Sequence, residues 1–269
     1  MNEGWKKYSE ANRTAWNEAA PIHRKTRPVD LNEFFSKPGA SLLDPVETGI
    51  LKSFGLDGKT VAQLCCNNGR DLISIVNIGA KSGTGFDISD GFIEEARELA
   101  KTARADCEFV RTDILDIGHE YDNRFDIVYI SIGALAWMPD LEVFFGIAAR
   151  IMRPGGNLFI YEHHPMTYLI PFEESGFAPE GLVLKPEYSY FNKQTIEGRG
   201  LDYFGFTEYG ASKNFEFQHT LGEIVNSVIG AGIELCELKE YPHDIANGFK
   251  WAEEMGKFPL SYTLTGRKK

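Results

Sequence analysis

Between Lys59 and Asp87 the chain reads KTVAQLCCNNGRDLISIVNIGAKSGTGFD, an order of residues that few folds accommodate. An apolar run at Val61, Ala62 and Leu64 breaks off in Cys65-Cys66-Asn67-Asn68-Gly69, and beyond it Leu72, Ile73, Ile75, Val76 and Ile78 recur with a helical spacing. A short apolar run that gives way to a 3.6-residue period reads as strand, tight turn, helix. Gly79 ends the helix, Gly83-Thr84-Gly85-Phe86 makes a second short strand, and Asp87 stands at that strand's carboxyl end. The result is a βαβ unit with an acid roughly 20 residues beyond the turn, the spacing at which a carboxylate meets a ribose hydroxyl. The unit is expected to bind a nucleoside.

A chain of 269 residues, 43% of them apolar, can bury one full core with an insertion rather than two equal domains. Its 28 basic residues are outnumbered by 39 acidic ones for a net charge of −11. That balance carries no basic footprint for nucleic acid. The polar amino terminus has no apolar stretch of a signal peptide, and no run of about 18 apolar residues offers a membrane span. Cys65, Cys66, Cys107 and Cys236 lack C-x-x-C spacing, and the adjacent pair is poorly placed to bridge. They read as reduced thiols of a cytoplasmic protein. Nothing in the pattern sets an oligomeric state.

The remaining chain falls into four parts. Residues 1–57 hold a polar helix from Trp5 to Ala20, a loop around Pro21, Pro28 and Pro38, and a helix near Asp44 to Phe54 that Asp44 caps ahead of Pro45. Trp5, Tyr8, Trp16 and His23 are unusual in so polar a leader, and aromatics there can pack against the outside of the core. Residues 58–165 continue past Asp87 with a helix carrying Ile88, Phe92, Ile93, Ala96, Leu99 and Ala100 on one face and Asp90 as its cap. A third strand runs from Cys107 toward Asp113 and Ile114. The fourth, Arg124 to Gly133, has the continuous β-branched and aromatic character of a central parallel strand and ends in Ser131 and Ile132. Trp137 precedes a helix from Glu142 to Met152, Arg153-Pro-Gly-Gly156 turns, and a fifth strand from Asn157 to Glu162 runs into His163-His164-Pro165. Residues 166–218 are an aromatic-rich insertion, including Tyr168, Phe172, Phe177 and Tyr188, with weak antiparallel alternation from Tyr188 to Gly205. Residues 219–269 add a helix from Leu221 to Ala231 and strands at Ile233 to Leu238 and Leu260 to Gly266.

The turn lacks the glycines of G-x-G-x-x-G, so a pyrophosphate could not easily approach its backbone, and a nucleoside bearing an amino-acid moiety suits it better. At this turn the chain resembles the class I S-adenosylmethionine-dependent methyltransferases, whose first motif has the form V-L-D-L-G-C-G-x-G. Leu64, Cys66 and Gly69 match; Gln63 stands where the family usually has Asp, and Cys65 and Asn67 where it has Gly. It is similar, more narrowly, to a bacterial subgroup with L-H-L-Q-C-H-F-G-x-D at this place. Phe125-Asp126-Ile127-Val128 resembles the family's fourth motif, and Arg153-Pro-Gly-Gly156 its L-x-P-G-G turn.

The resemblance implies an α/β fold with a doubly wound, mostly parallel seven-stranded sheet, an antiparallel last strand, and an insertion after strand 5. It implies S-adenosyl-L-methionine as cofactor, held by Gln63, Cys65, Cys66, Asn67, Asn68, Gly69, Asp87, Ile88, Asp113, Ile114, Ser131 and Ile132. Tyr8, Trp16, His23, Trp137, Glu162 and His163 are then candidates for the lid and acceptor site over residues 58–165, with residues 1–57 as a helical lid and residues 166–218 as a cover. Strand alternation puts Glu162 and His164 on one face and His163 on the other, which makes His164 the candidate base and disqualifies the two histidines as joint ligands of one metal. The expected acceptor is a small molecule, with neither nucleic acid nor membrane as partner. A non-catalytic nucleoside-binding protein and, with less in its favour, an NAD(P)-dependent oxidoreductase are the alternatives.

Overall fold

The computed structural model describes residues 3–172, 181–185 and 188–269. Its elements in chain order are α1 (Glu3–Thr26), α2 (Leu31–Phe35), α3 (Pro45–Ser53), β1 (Thr60–Leu64), α4 (Arg70–Asn77), β2 (Ser82–Asp87), α5 (Asp90–Ala103), β3 (Cys107–Arg111), β4 (Phe125–Ser131), α6 (Leu141–Ile151) and β5 (Met152–His163). Then follow β6 (Ile196–Arg199), β7 (Lys213–Glu216), α7 (Leu221–Gly230), β8 (Ile233–Tyr241), α8 (Lys250–Met255) and β9 (Ser261–Lys268).

Seven strands form one sheet in the order β3-β2-β1-β4-β5-β9-β8. The first five are parallel, and β9 runs antiparallel between β5 and β8. Both faces are covered, which the near-continuous apolar strands require. Along β4, Ile127 and Tyr129 face one core with Val61, Leu72, Ile93 and Phe159, while Val128 and Ile130 face the other with Leu64, Phe144, Leu158 and Val228. Burying each such large side chain contributes about 1.5–3 kcal/mol. Strand order reverses between β1 and β4, and the crevice beyond their carboxyl ends is where sheets of this type take ligands.

Several local readings give way to packing. Pro21 lies inside α1 rather than in a loop, and the helix continues to Thr26. A proline there costs about 3 kcal/mol; burial of Ala19, Ala20 and His23 beside it offsets that loss. Ser89 caps α5, its hydroxyl accepting from the Phe92 amide, while Asp90 binds Arg13 at 2.8 and 3.1 Å and Asn17 at 2.9 Å. β5 starts at Met152, and its pairing with β4 slips between Phe125 and Ile127, so that Arg153-Pro-Gly-Gly156 is taken up inside the strand's span. α2 and α8, of five and six residues, are too short to show a period in the sequence. The capping box predicted only in part at Asp44 is complete: Asp44 accepts from the Glu47 amide and Glu47 from the Asp44 amide. In the insertion, β6 and β7 pair as an antiparallel hairpin, with Ile196 opposite Glu216; Phe177 lies outside the described residues. Among the described residues, no helix is long and apolar enough to cross a membrane.

Candidate functional site

A cavity of about 1990 Å³ opens along the carboxyl ends of β1, β2, β4 and β5. Its floor is the turn after β1, where Cys65, Asn67 and Gly69 have φ of 57°, 49° and 71°. Left-handed backbone at these three positions is what glycines would supply without strain; here Cys and Asn adopt it. Asn67 is partly compensated, because its side-chain oxygen accepts from the Asn68 amide at 2.8 Å. Gly69 does not line the cavity. A Cβ on it would lie 2.3 Å from the Phe109 ring and 3.1 Å from Ala96 Cβ, so its smallness serves the packing of the turn on β3 and α5.

Asp87 ends β2 directly beside this turn. Its two carboxylate oxygens accept from the Asn67 amide at 2.8 Å and the Ser89 amide at 2.9 Å, each retaining acceptor capacity toward the cavity. Burial raises its pKa, and the amides of Ser89, Asn67 and Ile88 oppose that rise. Asp113 caps the single turn Ile114–Asp116 by accepting from Leu115 at 2.9 Å, and Asp113 and Ile114 line the cavity together with Ile88. At the other side Gln63, 1% exposed, donates to Ser131 Oγ at 2.9 Å, and Ser131 donates to Asp71 at 3.1 Å. Gln63 Oε1 is buried with no partner. Cys65, Cys66, Asn67, Asn68, Ile88, Ser131 and Ile132 line the same space.

The end of β5 corrects the assignment of His164. β5 stops at His163, and Pro165 opens a turn for which His164 is the cap, so strand alternation no longer governs it. His164 Nδ1 accepts from the Met166 amide at 3.1 Å, Nε2 lies 3.0 Å from a Glu240 carboxylate oxygen on β8, and the ring meets Tyr262. It is absent from the cavity wall, whereas Glu162 and His163 belong to it. Glu162 accepts from the amides of Gly133, Leu135 and His163, which ties down the loop after β4.

The expected lid residues divide likewise. Trp16 packs edge-on against Trp137 at 5.2 Å and near His23 at 6.0 Å, and all three line the cavity. His23 continues the cluster to Tyr203 and Phe204 of the insertion. Tyr8 instead packs against Phe215 and Phe217 and does not itself line the cavity. α1 is joined to β7 by Asn12, which exchanges two hydrogen bonds with the Phe215 backbone at 2.9 and 2.7 Å.

Residues 61–156 match the family described as "Methyltransferase domain". Over these residues the chain carries a methyltransferase domain. Over 103 residues it is 31% identical to 27-O-demethylrifamycin SV methyltransferase of Amycolatopsis mediterranei, covering 38% of this chain and 37% of that protein. It is 25% identical over 167 residues to a tRNA U34 carboxymethyltransferase of Campylobacter curvus, covering 61% and 52%. The chain thus spans about half the length of these relatives or less. An S-adenosylmethionine dependent methyltransferase from Mesorhizobium loti has the same fold at a TM-score of 0.58 and 21% identity, covering 82% of this chain and 96% of that one.

Around the methyltransferase domain's cavity the structure also gathers Arg70, Asp71, Tyr168, Lys185, Tyr203, Glu216 and Phe249, none of which was singled out for the site from the sequence. Arg70 and Asp71 follow the turn directly, a signal that was there to be read; the others reach the site through long-range folding. Behind Asp71 lies a buried acid. Glu47, 5% exposed, is hydrogen-bonded to the Tyr129 hydroxyl. Burial, with Asp71 nearby, pushes its carboxyl up to about 8. In the unfolded chain a glutamate loses its proton near 4.3. Between those values the folded protein binds more protons, and its stability falls as pH rises by roughly 1.4 kcal/mol per unit at most. Glu47→Gln is expected to flatten the urea stability curve between pH 5 and 8 relative to the wild type; parallel curves would show that Glu47 is ionised in the folded protein.

Proposed function

We propose that the protein methylates a small-molecule acceptor held inside this cavity. The observation that carries the reading is the cavity itself: about 1990 Å³ is roughly twice the upper end of the 300–1,000 Å³ that pockets for one ligand occupy. It has a turn-and-carboxylate cradle at one end and an aromatic chamber at the other. The cradle fits the cofactor by its chemistry, with Asp87 for the ribose hydroxyls, Asp113 and Ile114 beside the base, and Gln63, with its unpartnered oxygen, near the amino-acid end. Bound there, S-adenosylmethionine supplies a methyl group already activated on a sulfonium. The chain's own residues then align the acceptor and exclude water, and orientation can lower the barrier by on the order of 7–11 kcal/mol. Trp16 and Trp137 close over the cradle and can face a cation with their rings. Residues 1–57 and 166–218 together act as the cover, joined through Asn12 and β7.

The tRNA-modifying relative supports a second reading, a nucleic-acid acceptor, against which the net charge of −11 argues. Calorimetry with S-adenosylhomocysteine, followed by incubation of metabolite extract and of total tRNA with methyl-labelled S-adenosylmethionine, tests the proposal. One-site binding and label in a low-mass compound are expected. Label in tRNA would replace the acceptor class, and binding without any transfer would favour a non-catalytic role.

A further inference from the structure

The chamber beyond Glu162 has a chemistry of its own. Phe172 meets Phe249 edge-on at 5.2 Å and Phe206 at 6.1 Å, and the His163 ring stands 6.4 Å from Phe249. Phe172 is pressed on the backbone at Gly248, where a Cβ would fall 1.9 Å from its ring, so this wall is rigid as well as aromatic. The polar groups around it are mostly committed. Glu162 accepts from three backbone amides. Glu216 is held by the Tyr168 hydroxyl, and His219 Nε2 by the Met138 carbonyl at 2.8 Å. Asp71 takes Ser131 and Arg70. His163 is different: it lines the cavity, and while its Nδ1 is sealed off without a partner, its Nε2 makes no hydrogen bond among the described residues and is the ring nitrogen that can meet an acceptor.

We propose that the chamber takes a planar aromatic acceptor bearing a hydroxyl group, and that the His163 imidazole receives the hydroxyl proton as the oxygen is methylated. This rests on the methyltransferase reading given above. Flat rings fill a chamber walled by phenylalanines edge-on. Among the described residues, the carboxylates of Glu162, Glu216 and Asp71 are already hydrogen-bonded, while the histidine is the group there with an unengaged ring nitrogen. A phenolic hydroxyl, with an ordinary pKa near 10, is a poor nucleophile until its proton is taken. As the acceptor oxygen forms its bond to the methyl carbon, the carbon–sulfur bond breaks and sulfur keeps the electron pair. The proton passes to His163, which releases it to water when the methyl ether leaves. Burial lowers the pKa of His163, opposed by Glu162 on its own strand and Asp244 from the segment between β8 and α8, so that the ring is neutral and able to accept a proton at pH 7.

The test uses 7-hydroxycoumarin, whose fluorescence reports both binding and O-methylation, beside 7-aminocoumarin of the same shape. With the wild type loaded with S-adenosylhomocysteine, 7-hydroxycoumarin is expected to bind. With S-adenosylmethionine it should be methylated at a rate that is flat from pH 7 to 9. In His163→Ala and His163→Gln, binding of S-adenosylhomocysteine should be unchanged. Their transfer at pH 7 should fall by about 5- to 10-fold, since this acidic phenol is already partly ionised there, and then climb with pH to the wild-type rate as its ionisation completes. A merely structural role for His163 would leave that pH profile as in the wild type, which would overturn the proposal. So would preference for 7-aminocoumarin, or failure of 7-hydroxycoumarin to bind a protein that binds S-adenosylhomocysteine. A wild type that does not bind S-adenosylhomocysteine overturns the cofactor reading itself and this inference with it.

Discussion

Gly69→Val is expected to destabilise the protein by about 3–5 kcal/mol and to abolish binding of S-adenosylhomocysteine. Two costs add. A β-branched residue at φ 71° is strained by about 1–3 kcal/mol. Its Cβ would also fall 2.3 Å from Phe109 Cε1 and Cζ, inside a packed core where overpacking costs typically 1–3 kcal/mol. Neither term involves the cofactor. The resemblance implies that Gly69 holds the cofactor, but the crowding at this position comes from below the turn, through β3. Phe109→Leu should therefore relieve part of the loss in Gly69→Ala, a coupling that a double-mutant cycle on urea midpoints measures. Additive losses would mean that strain alone is at work.

Asp87→Ala is expected to weaken S-adenosylhomocysteine binding by on the order of 10²–10⁴. Each hydrogen bond from a ribose hydroxyl to the charged carboxylate contributes roughly 1.5–3 kcal/mol, and 1.4 kcal/mol is tenfold in affinity. The same substitution strips the acceptors from two buried amides, Asn67 and Ser89, at about 1–3 kcal/mol each. A loss of stability is therefore expected alongside the loss of affinity. Calorimetry and urea unfolding on one preparation separate the two. Undiminished affinity in the variant would remove Asp87 from the ribose site. Because burial raises the Asp87 pKa, binding should also weaken on acidification sooner than an ordinary carboxylate would cause.

The order of strands and helices was legible because it is local. β4 announces itself by the β-branched and aromatic run from Ile127 to Ile130, α3 by Asp44, Pro45 and Glu47 in capping positions, and the βαβ unit by an apolar run, a turn and an acid at fixed spacing. Such signals depend on residues a few positions apart, whose hydrogen bonds and periodicity are set before any tertiary contact forms. The departures of Cys65 and Asn67 from glycine were visible too, yet only the backbone angles reveal that the left-handed turn survives them. What the tertiary structure decided is where side chains at the ends of elements point. Alternation assigned His164 to the face of Glu162, but Pro165 ends the strand one residue early and Glu240, 76 positions away in the chain, draws the ring to β8. His163 is left on the cavity by default. Pro21 remains helical because α1 is packed on α5, and the Glu47 carboxyl is pushed up because folding buries it and brings Asp71 near, against the opposing hydrogen bond from Tyr129. Each of these outcomes turns on a contact between residues distant in sequence, whose energy no local pattern contains.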